Sequence, residues 1–339
     1  LDATAKIYQT SDNKPQIIGD DISEYVEFLK ENPSEMIGIS TGFPVYDEAI
    51  GGGLRRKCVD LIAARPKVGK SMFGDAVAMH VAKNLDIPVL VLDTEMSKED
   101  HLNRMLANIS GVEINSISSG KFASNNLEAE KVETAATELE RIPYHYVSIA
   151  GQPFENILSI MRKWIYQEVG FDENGRTKDC LVIYDYLKLM NSSSISNSMQ
   201  EFQVLGFQIT QLHNFCVKYD VPCLSFVQLN RDGITKESTD VVSGSDRLIW
   251  LCTSFTIFKL KSDEEMADDD DENGNRKLVP IVARHGAGLD DGDYINMNMF
   301  GKFGKIVEGQ TRNKLRSRSN IRDNGFESED KQPADIETV

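Results

Sequence analysis

Long apolar runs are missing from this chain. No stretch reaches the roughly 18 consecutive apolar residues of a membrane-spanning helix, so no membrane partner is expected. Cysteine is scarce and scattered. The five copies, Cys58, Cys180, Cys216, Cys223 and Cys252, form no CxxC pair, which speaks against a zinc module and for reduced thiols in the cytoplasm. The N-terminus, Leu1-Asp2-Ala3-Thr4, has neither the basic nor the apolar region of a signal peptide. It also lacks an initiating Met, and the chain reads as a fragment of something longer. Positive charge is in deficit, with 37 Lys and Arg against 53 Asp and Glu, a net −16. That balance argues against coating nucleic acid by bulk electrostatics.

The acid, however, is concentrated. Residues 263–272 read DEEMADDDDE, a block of like charge expected to be a solvated, mobile insertion spanning about 262–275. Without it the body is far less acidic, and a local nucleic-acid groove stays open. With 339 residues, 40% hydrophobic and 27% charged, the chain is long enough to bury a substantial core.

Short apolar runs alternate with helical patterns. Ile22–Lys30 suits a short helix after a polar start, and residues 1–36 are expected to form a linker. Cys58–Ala63, Val89–Leu92, Tyr144–Ile149, Cys180–Tyr184 and Pro222–Val227 read as strands. Ser71–Lys83, Lys98–Ser110, Phe154–Val169 and Gln203–Tyr219 read as helices between them. Such alternation predicts an α/β fold with a mostly parallel sheet flanked by helices. Phe255–Leu260, Leu278–Ala283 and Tyr294–Phe300 add further strands, giving one domain over 37–311. The polar, aperiodic stretch 312–339 predicts a disordered tail.

Four polar strand ends carry the chemistry. Ala64-Arg65-Pro66-Lys67-Val68-Gly69-Lys70-Ser71 lies between a strand and a helix, the setting of a phosphate loop. There, backbone N–H groups meet phosphate oxygens, Gly69 allows close approach, Lys70 reaches the β/γ-phosphates and Ser71 ligates Mg²⁺. Ala64 replaces the usual first glycine. Asp185 ends the strand Cys180–Tyr184 and suits a Mg²⁺ partner acting through water. Glu95 follows Val89–Leu92 and is the candidate for polarising an attacking water, with Asp93 its competitor at i, i+2. Gln228 ends another strand, where an amide can sense the γ-phosphate.

These segments resemble the C-terminal motor domain of DnaB-type replicative helicases, RecA-like ring proteins of bacteria and their phages. Ala63–Ser71 is similar to that family's AARPxxGK[ST] loop, the alanine included. Leu92–Ser97 with Arg104-Met105-Leu106-Ala107 and Ser119-Gly120, then Ile183–Met190, Val221-Pro222, Gln228–Arg231 and Ser243-Gly244-Ser245 match its other elements in order. The resemblance covers about 37–304 and implies a RecA-like P-loop NTPase core with a C-terminal antiparallel extension. It implies that Glu95 is the catalytic base, Asp185 the magnesium partner, Gln228 the coupling residue and Arg284 an arginine finger entering a neighbouring subunit's site. It further implies ATP or another NTP with Mg²⁺, single-stranded DNA, a homo-oligomer (a hexamer), a primase or helicase loader as partner, and 5′→3′ movement.

Two departures stand out. Val282 replaces a lysine companion of the finger, and Val241-Val242 replaces an Arg-Glu pair in the DNA-facing loop. DNA contact would then rest on Lys236, Ser243 and Gly244. Ile22–Lys30 fits a linker helix on an adjacent subunit or a short self-packed helix equally well. The rival readings on the same core are a RadA/KaiC-like recombination or regulatory ATPase, and a non-catalytic loader module.

Overall fold

A computed structural model describes residues 17–20, 22–31, 33, 36–187, 201–229, 237, 246–269 and 273–317. A nine-stranded sheet runs through it in the order β3-β2-β4-β5-β1-β6-β7-β8-β9. The strands are β1 Val59–Ala64, β2 Val89–Asp93, β3 Tyr144–Ser148, β4 Leu181–Asp185, β5 Cys223–Gln228, β6 Ser254–Leu260, β7 Arg276–Ala283, β8 Ile295–Phe300 and β9 Lys305–Thr311. The first six pair in parallel, and β7, β8 and β9 extend the sheet antiparallel. The predicted strands all lie within a residue or two of these, and β9 is an addition. Among the described residues the first four α-helices are α1 Ile22–Glu31, α2 Pro44–Ile50, α3 Lys70–Met79 and α4 Lys98–Ser110.

The apolar strands are continuous because both faces are covered. Along β1, Leu61 and Ala63 face one core and Ile62 and Ala64 the other. The first core holds Phe154, Ile157 and Met161 of one helix (Phe154–Trp164), with Ile209 and Leu212 of another (Glu201–Tyr219). The second holds Phe73, Val77 and Ala78 of α3, with Tyr46 of α2.

α1 buries none of its residues. Tyr25, Phe28 and Leu29 are about half exposed or more.

Over residues 263–269 the acidic block is helical, with 263, 264, 267 and 268 exposed. Its helix, Asp263–Asp269, is tied to the sheet by charge. Lys261 Nζ lies 2.9 Å from Asp269 Oδ2, both side chains being at most 1% exposed, and the Tyr294 hydroxyl donates to Asp269 at 2.6 Å. Glu265 pairs with buried Lys277. Asp268 takes Arg312 and Arg316, each at 2.9 Å. A run of acids alone looks self-repelling; the cations that neutralise it come from strands and from a segment assigned to the tail. For the same reason ordered structure passes the predicted boundary at 312, with residues 312–317 helical and the Arg312 amide on Tyr294 O.

Breaking a fully buried pair leaves one charge without its partner, at a cost of about 3–5 kcal/mol. Asp269→Ala is therefore expected to lower unfolding free energy by about that amount in urea titration. The double variant Lys261→Met, Asp269→Leu should recover most of it. Equal losses in the two variants would show that packing, not charge, dominates there.

Candidate functional site

β1 delivers the chain into the loop 64–69, and α3 begins at Lys70. The turn needs left-handed backbone twice, at Lys67 (φ 66°) and at Gly69 (φ 117°). No side chain caps the N-terminus of α3, so its first amides are open to an anion. The uncapped terminus fits a phosphate group.

Parallel register gathers the other residues here. Ala64 pairs with Gln228 across β1 and β5, and Asp93 pairs with Asp185 across β2 and β4. The Thr94 amide donates to Asp185 O at 2.9 Å. The result is a cleft of about 490 Å³ at the carboxyl edge of the sheet, lined by the phosphate loop, Ser71, Glu95, Tyr186 and Gln228. Grooves of about 510 and 580 Å³ lie elsewhere without a phosphate loop, so chemistry rather than volume singles out this cleft.

Lys70 Nζ sits 2.8 Å from Asp185 Oδ1 and 3.4 Å from the centroid of the Tyr186 ring. Burial pushes the lysine below its usual proton affinity, with Asp185 opposing, and pushes the Asp185 carboxyl up, with Lys70 opposing. The Ser71 hydroxyl hydrogen-bonds the same carboxylate. A hydroxyl beside a buried carboxylate is a donor set that suits Mg²⁺. Glu95 is exposed to the cleft, and burial together with the Glu95 charge and hydrogen bond raises the Tyr186 phenol to about 12.

Between the two candidate bases, geometry favours Glu95. Asp93 is 1% exposed, and its Oδ1 accepts the amides of Glu95 at 2.5 Å and Met96 at 2.7 Å. Its Oδ2 faces His101. Both oxygens are thus engaged in holding the turn that presents Glu95.

Arg284 does not join this cleft. Ala64 pairs with Phe258 on β6, whereas Ala283 pairs with Ser254 at the strand's other end. Four residues separate those positions, roughly 13 Å along the strand. The guanidinium is exposed and donates to Trp250 O. Beside it, Gly286 packs so tightly that a Cβ would lie 2.0 Å from Ala49 O, which fixes the corner. Lys236, Ser243 and Gly244, with residues 188–200, lie outside the described residues.

Sequence reasoning gave no role to Tyr186, Arg104 or Met299, all of which line the cleft. Tyr186 and Arg104 fall within recognisable segments, but Met299 reaches the loop from β8, with no local signal.

A strand–loop–helix phosphate cradle on a parallel sheet, with a carboxylate at the end of β4, two strands from β1, defines the P-loop NTPase class. Residues 38–242 match the family described as DnaB-like helicase C terminal domain, and the chain belongs to that family. It is 30% identical over 235 residues to the replicative DNA helicase DnaB of Synechocystis sp. (strain ATCC 27184 / PCC 6803 / Kazusa), covering 67% of this chain and 25% of that protein. To the probable replicative DNA helicase of Trieres chinensis it is 28% identical over 207 residues, covering 60% of this chain and 42% of that protein. The chain therefore spans well under two thirds of the curated relatives' length. Its fold is shared with a solved ATPase domain, at a TM-score of 0.74 and 19% identity, with coverage of 88% of this chain and 100% of that one.

Gly69→Ala isolates the strain in the loop. The conformation at φ 117° disfavours any side chain, so a loss of about 1–3 kcal/mol is expected in thermal or urea unfolding. A Cβ there would also lie 2.5 Å from Met299 Sδ, but that side chain can move. Adding Met299→Ala should therefore restore little; full recovery would mean that contact, not backbone strain, sets the cost.

Proposed function

We propose that this chain is the motor domain of a replicative DNA helicase, a ring of six copies that hydrolyses ATP between subunits to move along single-stranded DNA. The observation that carries this reading is a division of labour. Lys70, Ser71, Glu95 and Gln228 line one cleft, with Asp185 bonded to Lys70 and Ser71 beneath it, while Arg284 sits at the opposite edge of the sheet. A finger so placed serves only a neighbour's cleft.

In this reading the loop amides and Lys70 hold the β- and γ-phosphates of the nucleotide. Ser71 and Asp185 would hold Mg²⁺, which supplies charge neutralisation at the phosphates. Glu95 orients and polarises the attacking water. Gln228 senses the γ-phosphate and passes its loss to the loop that follows β5. Arg284 of the adjacent copy stabilises charge on the transferring group, which makes hydrolysis depend on assembly. Loops 191–200 and 232–244, with Lys236, Ser243 and Gly244, would grip the DNA backbone in the central channel. The exposed apolar face of α1 supports docking on the next subunit.

The polarity proposed is 5′→3′, as the family resemblance implies. A primase or a loader is the proposed protein partner; one structural relative, "The Structure Of A DnaB-Like Replicative Helicase And Its Interactions With Primase", matches with a TM-score of 0.71 at 18% identity. Among the described residues no helix is long and apolar enough to cross a membrane. The five cysteines are free thiols, in keeping with the bacterial cytoplasm or a phage-infected cell.

ATPase activity is expected to rise with single-stranded DNA. Lys70→Ala and Arg284→Ala should each lower it by about 10³-fold or more. Mixed rings of the two variants should exceed either alone, because some interfaces pair an intact Lys70 with an intact Arg284. Lys70→Ala rings that hydrolyse ATP normally would remove the assigned site, and mixtures that regain nothing would remove the shared one.

A further inference from the structure

A buried histidine bridges two carboxylates directly behind the proposed cleft. His101, on α4, is 3% exposed. Its Nδ1 lies 2.8 Å from Asp75 Oδ1 on α3, and its Nε2 lies 3.1 Å from Asp93 Oδ2 at the end of β2. A carboxylate only accepts, so both ring nitrogens must donate, and only the imidazolium carries two N–H groups. Burial alone would lower the ring's proton affinity; the hydrogen bonds and charges of Asp75 and Asp93 outweigh it and raise the pKa to about 9. For Asp93, burial is likewise outweighed, by His101 and the Glu95 and Met96 amides, and its carboxyl stays below the usual range.

The surroundings leave the bridge little freedom. From β3, the Tyr144 hydroxyl donates to Asp75 Oδ1 at 3.3 Å. The Tyr146 ring packs 4.8 Å from the imidazole, and its hydroxyl donates to Met96 O. From α4 itself, Arg104 pairs with Asp75 Oδ2 at 3.2 Å. Glu99 and Asp100 act on Tyr146 only through their charge. The chain of contacts runs from the phosphate-loop helix, through Asp75, His101 and Asp93, to the amides of Glu95 and Met96.

We propose that His101 is a positioning residue, a buried cation that clasps α3 to the turn after β2 and so fixes Glu95 relative to Lys70 without touching nucleotide. The proposal rests on the reading of Glu95 as the residue that polarises water. Losing the ring proton removes one of the two bonds and sets a lone pair against a carboxylate. The raised pKa means that the clasp is fully formed below the ordinary histidine range and is lost as pH rises through about 9. A turn released by even a fraction of an ångström misaligns the base while the phosphates stay bound.

The test uses the full chain with single-stranded DNA. It reads ATP turnover from neutral to alkaline pH, with binding of a fluorescent ATP analogue and thermal unfolding measured in parallel. His101→Gln is expected to bind the analogue within about twofold of wild type, lose about tenfold in kcat, and lose the part of the alkaline decline that His101 causes. Lys70 also titrates on that side, so the comparison between variants carries the result. Asp75→Asn keeps an acceptor for Nδ1 but removes a charge, and should move the decline to lower pH. If His101→Gln fails to fold, Asp75→Asn and ¹⁵N-histidine NMR of the wild type read the same protonation. Wild-type turnover and pH profile in His101→Gln, or an unmoved decline in Asp75→Asn, would overturn the clasp. Glu95→Gln separates the two ideas: hydrolysis intact there removes the base itself, whereas hydrolysis lost there with His101→Gln unchanged removes only the clasp.

Discussion

Parallel hydrogen bonding along β2-β4-β5-β1-β6 fixes where the polar strand ends lie. Parallel strands all point their carboxyl ends to one edge, so any residue just past a strand's end faces the same space. β1, β2, β4 and β5 end in Ala64, Asp93, Asp185 and Gln228 and therefore form one wall. β7 runs the other way, and the residue after its end, Arg284, is sent to the far edge. One reversal of strand direction thus separates the residues of the proposed interface into two halves.

The site's electrostatics follow from burial. Lys70 and Asp185 lie close together where water is scarce, so each holds the other's charge against a desolvation cost. Asp93 and His101 show the same logic one layer deeper. A carboxylate that accepts two amides and an imidazolium is a fixed strut, and Glu95 is the more exposed acid at the cleft. Two acids two residues apart meet different surroundings because the fold buries one and exposes the other.

Charge also explains how the acidic segment 263–269 joins the body. Lys261 and Lys277 lie at or beside β6 and β7, Arg312 follows β9, and each meets an acid of this helix. The Tyr294 ring lies close to Lys261, Lys277 and Arg312, and its hydroxyl bonds Asp269. The antiparallel extension and the acidic helix stabilise one another.

Local pattern alone determined the parallel strands, the helices between them and the phosphate loop. Each is written in a few contiguous residues: an apolar run such as Val89–Leu92, or Gly69-Lys70-Ser71 after a strand. Glu95, Asp185 and Gln228 were legible for the same reason, since a polar residue that ends an apolar run is visible without knowing its neighbours. Long-range contact decided the rest. The sequence put Glu95 ahead of Asp93 but gave no reason to set Asp93 aside, because the His101 that occupies Asp93 Oδ2 lies on another element. It gave no sign of the ion pairs that tie 263–269 to the sheet, nor of the helix at 312–317, because the cations and acids that meet there are separated along the chain. Met299 and the Asp75–His101 contact carry no local signature, since side-chain proximity across a sheet exists only once the strands have paired.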